Sequence, residues 1–157
     1  AQAHPMIREE LRAQYEQANN LLGKNVRLRF AYVYRSPDEQ RRLFLKKPRV
    51  TNADAWQSIH NYGLAFDIVL LIDKNNDGIF EEASYNTLRD YDGDKIADWM
   101  EVVSFFKKNG WTWGGDWRKF KDAPHFEKNF GHDWRSLKEK IDKNIVIRDN
   151  NIIYPKL

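Results

Sequence analysis

Apolar and polar positions along the chain change period several times, and each change marks an element. After Pro5, the residues Ile7, Leu11, Tyr15, Ala18, Leu21 and Leu22 recur at helical spacing, with proline at a tolerated first-turn position and Gly23 as the stop. From Val26 to Val33 the pattern alternates and then turns wholly apolar, which predicts a strand that starts half-exposed and ends buried. Ser36-Pro37-Asp38-Glu39 fits a capping box with proline at the first helical position, opening a helix to about Lys46. Residues 47–59 hold no period, broken by Pro48, Thr51, Asn52 and Asp54, and are expected to form a loop. Leu64–Ile72 is the strongest strand signal in the chain. Residues 73–95, dense in Asp, Asn and Gly, read as an irregular acidic insertion, after which an amphipathic helix runs over Ile96–Lys108 and stops at Gly110. Trp111–Trp117 reads as a loop, His125–Glu127 as a short strand, residues 133–141 as a helix and residues 145–154 as a terminal strand or arm. Helices and strands alternate without a regular βαβ period, so the expected class is α+β, a small antiparallel sheet flanked by helices.

Composition narrows this picture without naming a function. At 157 residues the chain has the length of one ordinary domain, expected to span 1–157 with 73–95 as its insertion. Lys and Arg number 26 against 23 Asp and Glu, a net charge of +3 with the two signs interleaved, as in Asp38-Glu39 before Arg41-Arg42. That pattern lacks the clustered basic element of a nucleic-acid binder and suits an anionic polymer such as cell wall. With no cysteine there is no disulfide, no thiolate metal site and no cysteine nucleophile, so any metal must be held by His, Asp or Glu. The longest apolar runs, such as Ile68–Ile72, fall far short of the roughly 18 residues of a membrane span. A monomer that engages neither membrane nor nucleic acid is the expectation.

One position then stands out. Asp67 lies inside Leu64-Ala-Phe-Asp-Ile-Val-Leu-Leu-Ile72, and a carboxylate buried in an apolar strand is costly unless paired or metal-bound. Either a cation such as Arg29 neutralises it, or a metal does. Upstream, Ser58-Ile-His60-Asn-Tyr-Gly63 sets an imidazole on the approach to that strand, with Gly63 able to turn His60 back towards Asp67. Alone, His60 reads equally as a surface or hydrogen-bonded histidine. Downstream, Asp122-Ala-Pro-His125-Phe-Glu127 repeats the logic: His125 opens a short strand with Glu127 on the same face. Two histidines and one carboxylate form the open pattern of a catalytic zinc site, with Asp122 placed to serve as base. His4 and His132 have no acidic company in an apolar setting and read as structural.

Taken together, Ser58-x-His60-x-x-Gly63-x-Ala65-x-Asp67 followed by Asp122-x-x-His125 resembles the signature of the D-alanyl-D-alanine carboxypeptidase and L-alanyl-D-glutamate endopeptidase group of zinc peptidases, which includes many phage endolysins. Tyr34-Arg35-Ser36-x-x-x-Gln40 is similar to that group's remaining block, and the three blocks stand in the group's order between Tyr34 and Glu127. The resemblance implies a hedgehog-like zinc-peptidase fold with one zinc on His60, Asp67 and His125, and Asp122 as general base. It implies that Arg35 binds a substrate carboxylate or polarises the scissile carbonyl, assisted by Gln40, with Ser58 at the substrate. Arg35 also has a plainer reading as a surface ion pair with Asp38 or Glu39. Trp113-Gly-Gly-Asp-Trp117 looks like the group's loop beside the site, with Trp113 as a pocket wall or as buried packing.

The implied activity is hydrolysis of the L-alanyl-D-glutamate bond of peptidoglycan stem peptides at the bacterial cell wall, by a secreted, periplasmic or phage-released enzyme. A D,D-carboxypeptidase removing terminal D-alanine is the alternative on the same scaffold, and a non-catalytic wall-binding module held together by zinc is the alternative of another class.

Two acidic segments lie outside these blocks. Asp73-Lys-Asn75-Asn-Asp77-Gly78 opens like a calcium loop, but Ser84 stands where the bidentate Glu belongs. Asp90-Tyr-Asp92-Gly-Asp94-Lys-Ile96-Ala-Asp98-Trp-Met-Glu101 places acids at positions one, three, five, nine and twelve, with Lys95 where that loop wants glycine. It reads either as a calcium site on Asp90, Asp92, Asp94, Asp98 and Glu101 or as acidic turns leading into a solvated helix start.

Overall fold

The computed structural model describes residues 2–157. Among the described residues, four α-helices and seven strands follow one another as α1 (Arg8–Leu21), β1 (Val26–Tyr32), α2 (Pro37–Leu45), β2 (Ala65–Ile72), β3 (Glu82–Ser84), α3 (Asp98–Lys108), β4 (Thr112–Trp113), β5 (His125–Glu127), α4 (Trp134–Asp142), β6 (Val146–Asp149) and β7 (Ile152–Pro155). The class is α+β, as the pattern implies. Among the described residues, no helix is long and apolar enough to cross a membrane.

The described residues divide into two compact units, one of residues 2–8, 32–66 and 127–157, the other of residues 9–31 and 67–126. A five-stranded sheet has the order β1-β2-β5-β4, with β3 also paired to β2. β5 runs antiparallel to β2, since Lys128 N donates to Leu64 O and Ile68 N to Pro124 O. In the second unit, α3 buries Trp99, Val102, Val103 and Phe106, the i, i+3, i+4, i+7 stripe of an amphipathic helix. Phe106 meets Phe30, Trp111 and Phe126 at ring-centroid distances of 6.3, 6.3 and 5.4 Å. Each of these large side chains contributes about 1.5–3 kcal/mol by leaving water, and Trp111 keeps its polar end satisfied by donating Nε1 to Gln14 Oε1 at 2.8 Å.

The first unit is stapled by polar contacts to carbonyls. Tyr62, fully buried, sets its hydroxyl 2.6 Å from Trp56 O and 3.0 Å from Trp134 O. His4, also fully buried, places Nε2 2.8 Å from Pro155 O, so it is structural as expected; His132 Nδ1 lies 3.1 Å from Ser136 Oγ.

Five elements differ from the sequence expectation. β1 alternates buried and exposed at its start and ends exposed at Ala31 and Tyr32 rather than buried, so its apolar end lies at the surface. The insertion is not wholly irregular: β3 pairs antiparallel with β2 in the register Leu70–Ser84, Leu71–Ala83, Ile72–Glu82. Three residues, two of them polar, are too few to show alternation. The helix expected from Ile96 begins at Asp98, because residues 90–97 are taken up by side-chain-to-backbone turns and Lys95 adopts a left-handed φ of 76°. Within the expected loop Trp111–Trp117 lie β4 and a single 3-10 turn, Gly114–Asp116. The terminal arm is a hairpin of β6 and β7, turned by Asn150-Asn151 with φ of 48° and 62°, the positive pair that a type I′ turn requires.

Candidate metal and active site

His60 is carried by a 3-10 turn, Ile59–Tyr62, whose ends are both closed by side chains or special backbone. Ser58 caps it, its Oγ accepting from His60 N while its own N donates to Asn61 Oδ1 at 3.2 Å. Gly63 ends it at φ 68°, where a Cβ would meet His4 N at 2.7 Å and the Tyr154 ring at 2.8 Å, so only glycine fits. His60 is 3% exposed and donates Nδ1–H to Val33 O at 2.8 Å, which places the ring's lone pair on Nε2.

Around the same turn sits Arg35. Its backbone N donates to His60 O at 3.1 Å, and its carbonyl accepts Asn61 Nδ2 at 2.8 Å. The guanidinium donates from Nη1 to Gln40 Oε1 at 3.0 Å and lies 5.0 Å from the Tyr32 ring centre. Gln40 is fully buried in α2, its Nε2 donating to Ala53 O at 2.7 Å, so its amide is committed on both sides to holding Arg35 and the 47–59 loop. Ser58, likewise, is engaged in capping.

In the second unit, Asp67 on β2 and His125 at the start of β5 meet, Oδ1 to Nδ1, at 3.1 Å. Two ligand atoms about 2.0–2.1 Å from a tetrahedral zinc stand about 3.3 Å apart, so this separation suits a shared metal as well as a hydrogen bond. Asp122 is exposed, in a turn where His125 N donates to Asp122 O and Asp122 N to Gly114 O. Gly114 is the close-approach residue here: a Cβ on it would stand 2.4 Å from Asp122 O. Trp113 donates Nε1 to Ala123 O at 2.7 Å and lies against Gly115, so it braces the 122–125 turn. The Trp117 ring lies 5.2 Å from that of His125, tilted by 47°.

In the second unit Asp67 and His125 offer a carboxylate and an imidazole side by side, and in the first unit His60 offers its Nε2. This donor set of two imidazoles and a carboxylate is that of an open zinc site. A family model described as D-alanyl-D-alanine carboxypeptidase matches residues 51–128. The peptidoglycan L-alanyl-D-glutamate endopeptidase CwlK of Bacillus subtilis (strain 168) is 37% identical over 131 residues, covering 79% of this chain and 72% of that protein.

The chain belongs to the M15 peptidase family.

Among solved structures, the Serratia marcescens L-Ala D-Glu endopeptidase ChiX matches with a TM-score of 0.50 at 23% identity, covering 82% of each chain, a likeness in fold. Peptidases of this family depend on zinc, and two histidines and an aspartate of the kind such an ion takes are present in this chain. Three positioning residues escaped the sequence reading. Asn61 sits unremarked inside the His60 block, Val33 contributes only a carbonyl, and Trp117 was read as loop; none carries a chemical signal in the chain order itself. The acids of 90–101 fall into two groups with ligand atoms close together, Asp90-Asp92-Asp94 and Asp92-Asp98-Glu101. Asp73, like Asp90, uses both carboxylate oxygens on its own turn, accepting from Asp77 N and Gly78 N.

Proposed function

We propose that this peptidase is a zinc-dependent peptidoglycan hydrolase that cleaves the L-alanyl-D-glutamate bond of stem peptides, acting as a monomer on the bacterial cell wall. The observation that carries the choice of bond is the 37% identity to an L-alanyl-D-glutamate endopeptidase over most of both chains. His60, Asp67 and His125 would hold one zinc ion, which when bound supplies Lewis-acid polarisation of a carbonyl and acidification of a water. The exposed Asp122 carboxylate takes the proton from the attacking water and returns it to the leaving amine. Arg35, fixed by Gln40 and Asn61, presents a planar, permanent charge to a substrate carboxylate or to the scissile carbonyl. Gln40 and Ser58 act through Arg35 and His60 as positioning residues, and Trp113 through the turn that carries Asp122.

A second reading has its own support: the matching family model is described as a D-alanyl-D-alanine carboxypeptidase. Mass spectrometry of digested muropeptides separates the two. Release of stem peptide from L-alanine is the expected result; loss of a single terminal alanine would replace the endopeptidase assignment with the carboxypeptidase.

A further inference from the structure

Asp98 stands at the first turn of α3 with 0% of its surface exposed. Its Oδ2 accepts from Tyr91 N at 2.7 Å, but its Oδ1 is buried with no hydrogen-bond partner. One turn on, Glu101 Oε2 is buried in the same condition. The carboxylates of Asp92, Asp98 and Glu101 each offer an oxygen within 4.8 Å of the others, so three acids, two of them carrying a buried unpartnered oxygen, are gathered in one place. Like charges gathered out of water are unfavourable unless a cation joins them. Burial and the neighbouring acids push the Asp98 carboxyl up to about 6 and that of Glu101 up to about 7.

The segment leading to these residues supplies the remaining donors. Asp90, Asp92 and Asp94 bring their carboxylates together at its exposed end. Lys95 takes φ 76° at the sixth position, doing with a side chain what glycine does in a calcium loop. We propose that residues 90–101 form a calcium site, with the carboxylates of Asp90, Asp92, Asp94, Asp98 and Glu101 as its ligands.

The chemistry selects calcium among common cations. Every donor is a hard oxygen, which disfavours zinc, and the ligands are many and partly on a flexible segment, which suits a large ion of six to eight ligands better than magnesium. The site has a mechanical consequence. Asp92 Oδ2 accepts from Gly23 N at 2.7 Å at the end of α1, Asn25 Nδ2 donates to Tyr91 O at 2.8 Å, and Asn25 O accepts from Asp73 N just beyond β2. A cation here therefore ties the start of α3 to the ends of α1 and β2.

The test is isothermal titration of the purified, calcium-free protein with CaCl2, alongside thermal melts. About one calcium per chain and a higher Tm at roughly millimolar calcium are expected, with at least about a tenfold loss of affinity in Asp98→Asn and in Glu101→Gln. Circular dichroism shows whether each variant is folded, and the near-isosteric amides keep the volume of the site. Absence of binding in the wild type, unchanged binding in both folded variants, or an equal response to MgCl2 would overturn the assignment. Muropeptide cleavage plays no part in this readout, so it stands or falls apart from the proposed activity.

Discussion

The divergent fates of similar side chains show how residue chemistry is decided here. Asp73 and Asp98 both belong to acidic segments and both are buried, yet Asp73 spends its oxygens on its own turn while Asp98 keeps one unpartnered. Val33 O orients His60 by accepting a hydrogen bond from Nδ1–H, a contribution invisible in residue types. Three predictions belong at this scale. His125→Ala should lose its zinc together with wall lysis, checked by elemental analysis against about one zinc per wild-type chain. Asp122→Asn should retain the zinc and lose about 10²–10⁴ in kcat, as expected for removal of a general base; a variant with wild-type turnover would remove Asp122 from the mechanism. Gln40→Met, close in volume, leaves Ala53 O and Arg35 Nη1 without their buried partner. It should cost about 1–3 kcal/mol in urea unfolding.

The elements form where capping, turn chemistry and periodicity agree. α2 begins where Ser36 Oγ accepts from Glu39 N at 3.1 Å and Pro37 fills the first turn, so its start was legible in four residues. Ser36→Ala should therefore lower stability by about 1 kcal/mol, measured by the shift of the urea midpoint. At the turn bearing His60, Gly63→Ala forces both a left-handed φ and two contacts under 3.0 Å. The backbone strain by itself should cost about 1–3 kcal/mol. Elements stabilised from outside were less legible. β3 exists because β2 offers it a paired edge, and the start of α3 is delayed by a loop whose acids bond their own backbone. The Asn150-Asn151 turn was readable in principle, since adjacent asparagines tolerate the positive φ of a hairpin.

At the scale of the whole molecule, the first unit closes on a titratable latch. His4 N donates to Gly63 O, its ring meets Pro155 O, and its environment also holds the Tyr154 ring at 5.3 Å and the Arg8 charge. Burial, with Arg8 adding to it, holds its pKa below the ordinary 6.5 despite the opposing Pro155 hydrogen bond. The folded protein thus binds this proton less well than the unfolded chain. The stability is present in full above about pH 6.5 and is lost as pH falls through the lower folded value. Tm should drop across that window in the wild type and drop less in His4→Gln, as followed by thermal melts from pH 7.5 downwards.

The sequence by itself determined the donor types, the three ordered blocks, the main helices and strands and the spacing of the acids in 90–101, because these are properties of residue identity and local period. Only the tertiary structure decided that Gln40 is a brace for Arg35, that β3 joins the sheet and which carboxylate oxygens are left buried without a partner. Burial and hydrogen-bond satisfaction depend on groups distant in the chain, and no local pattern records which of them arrive.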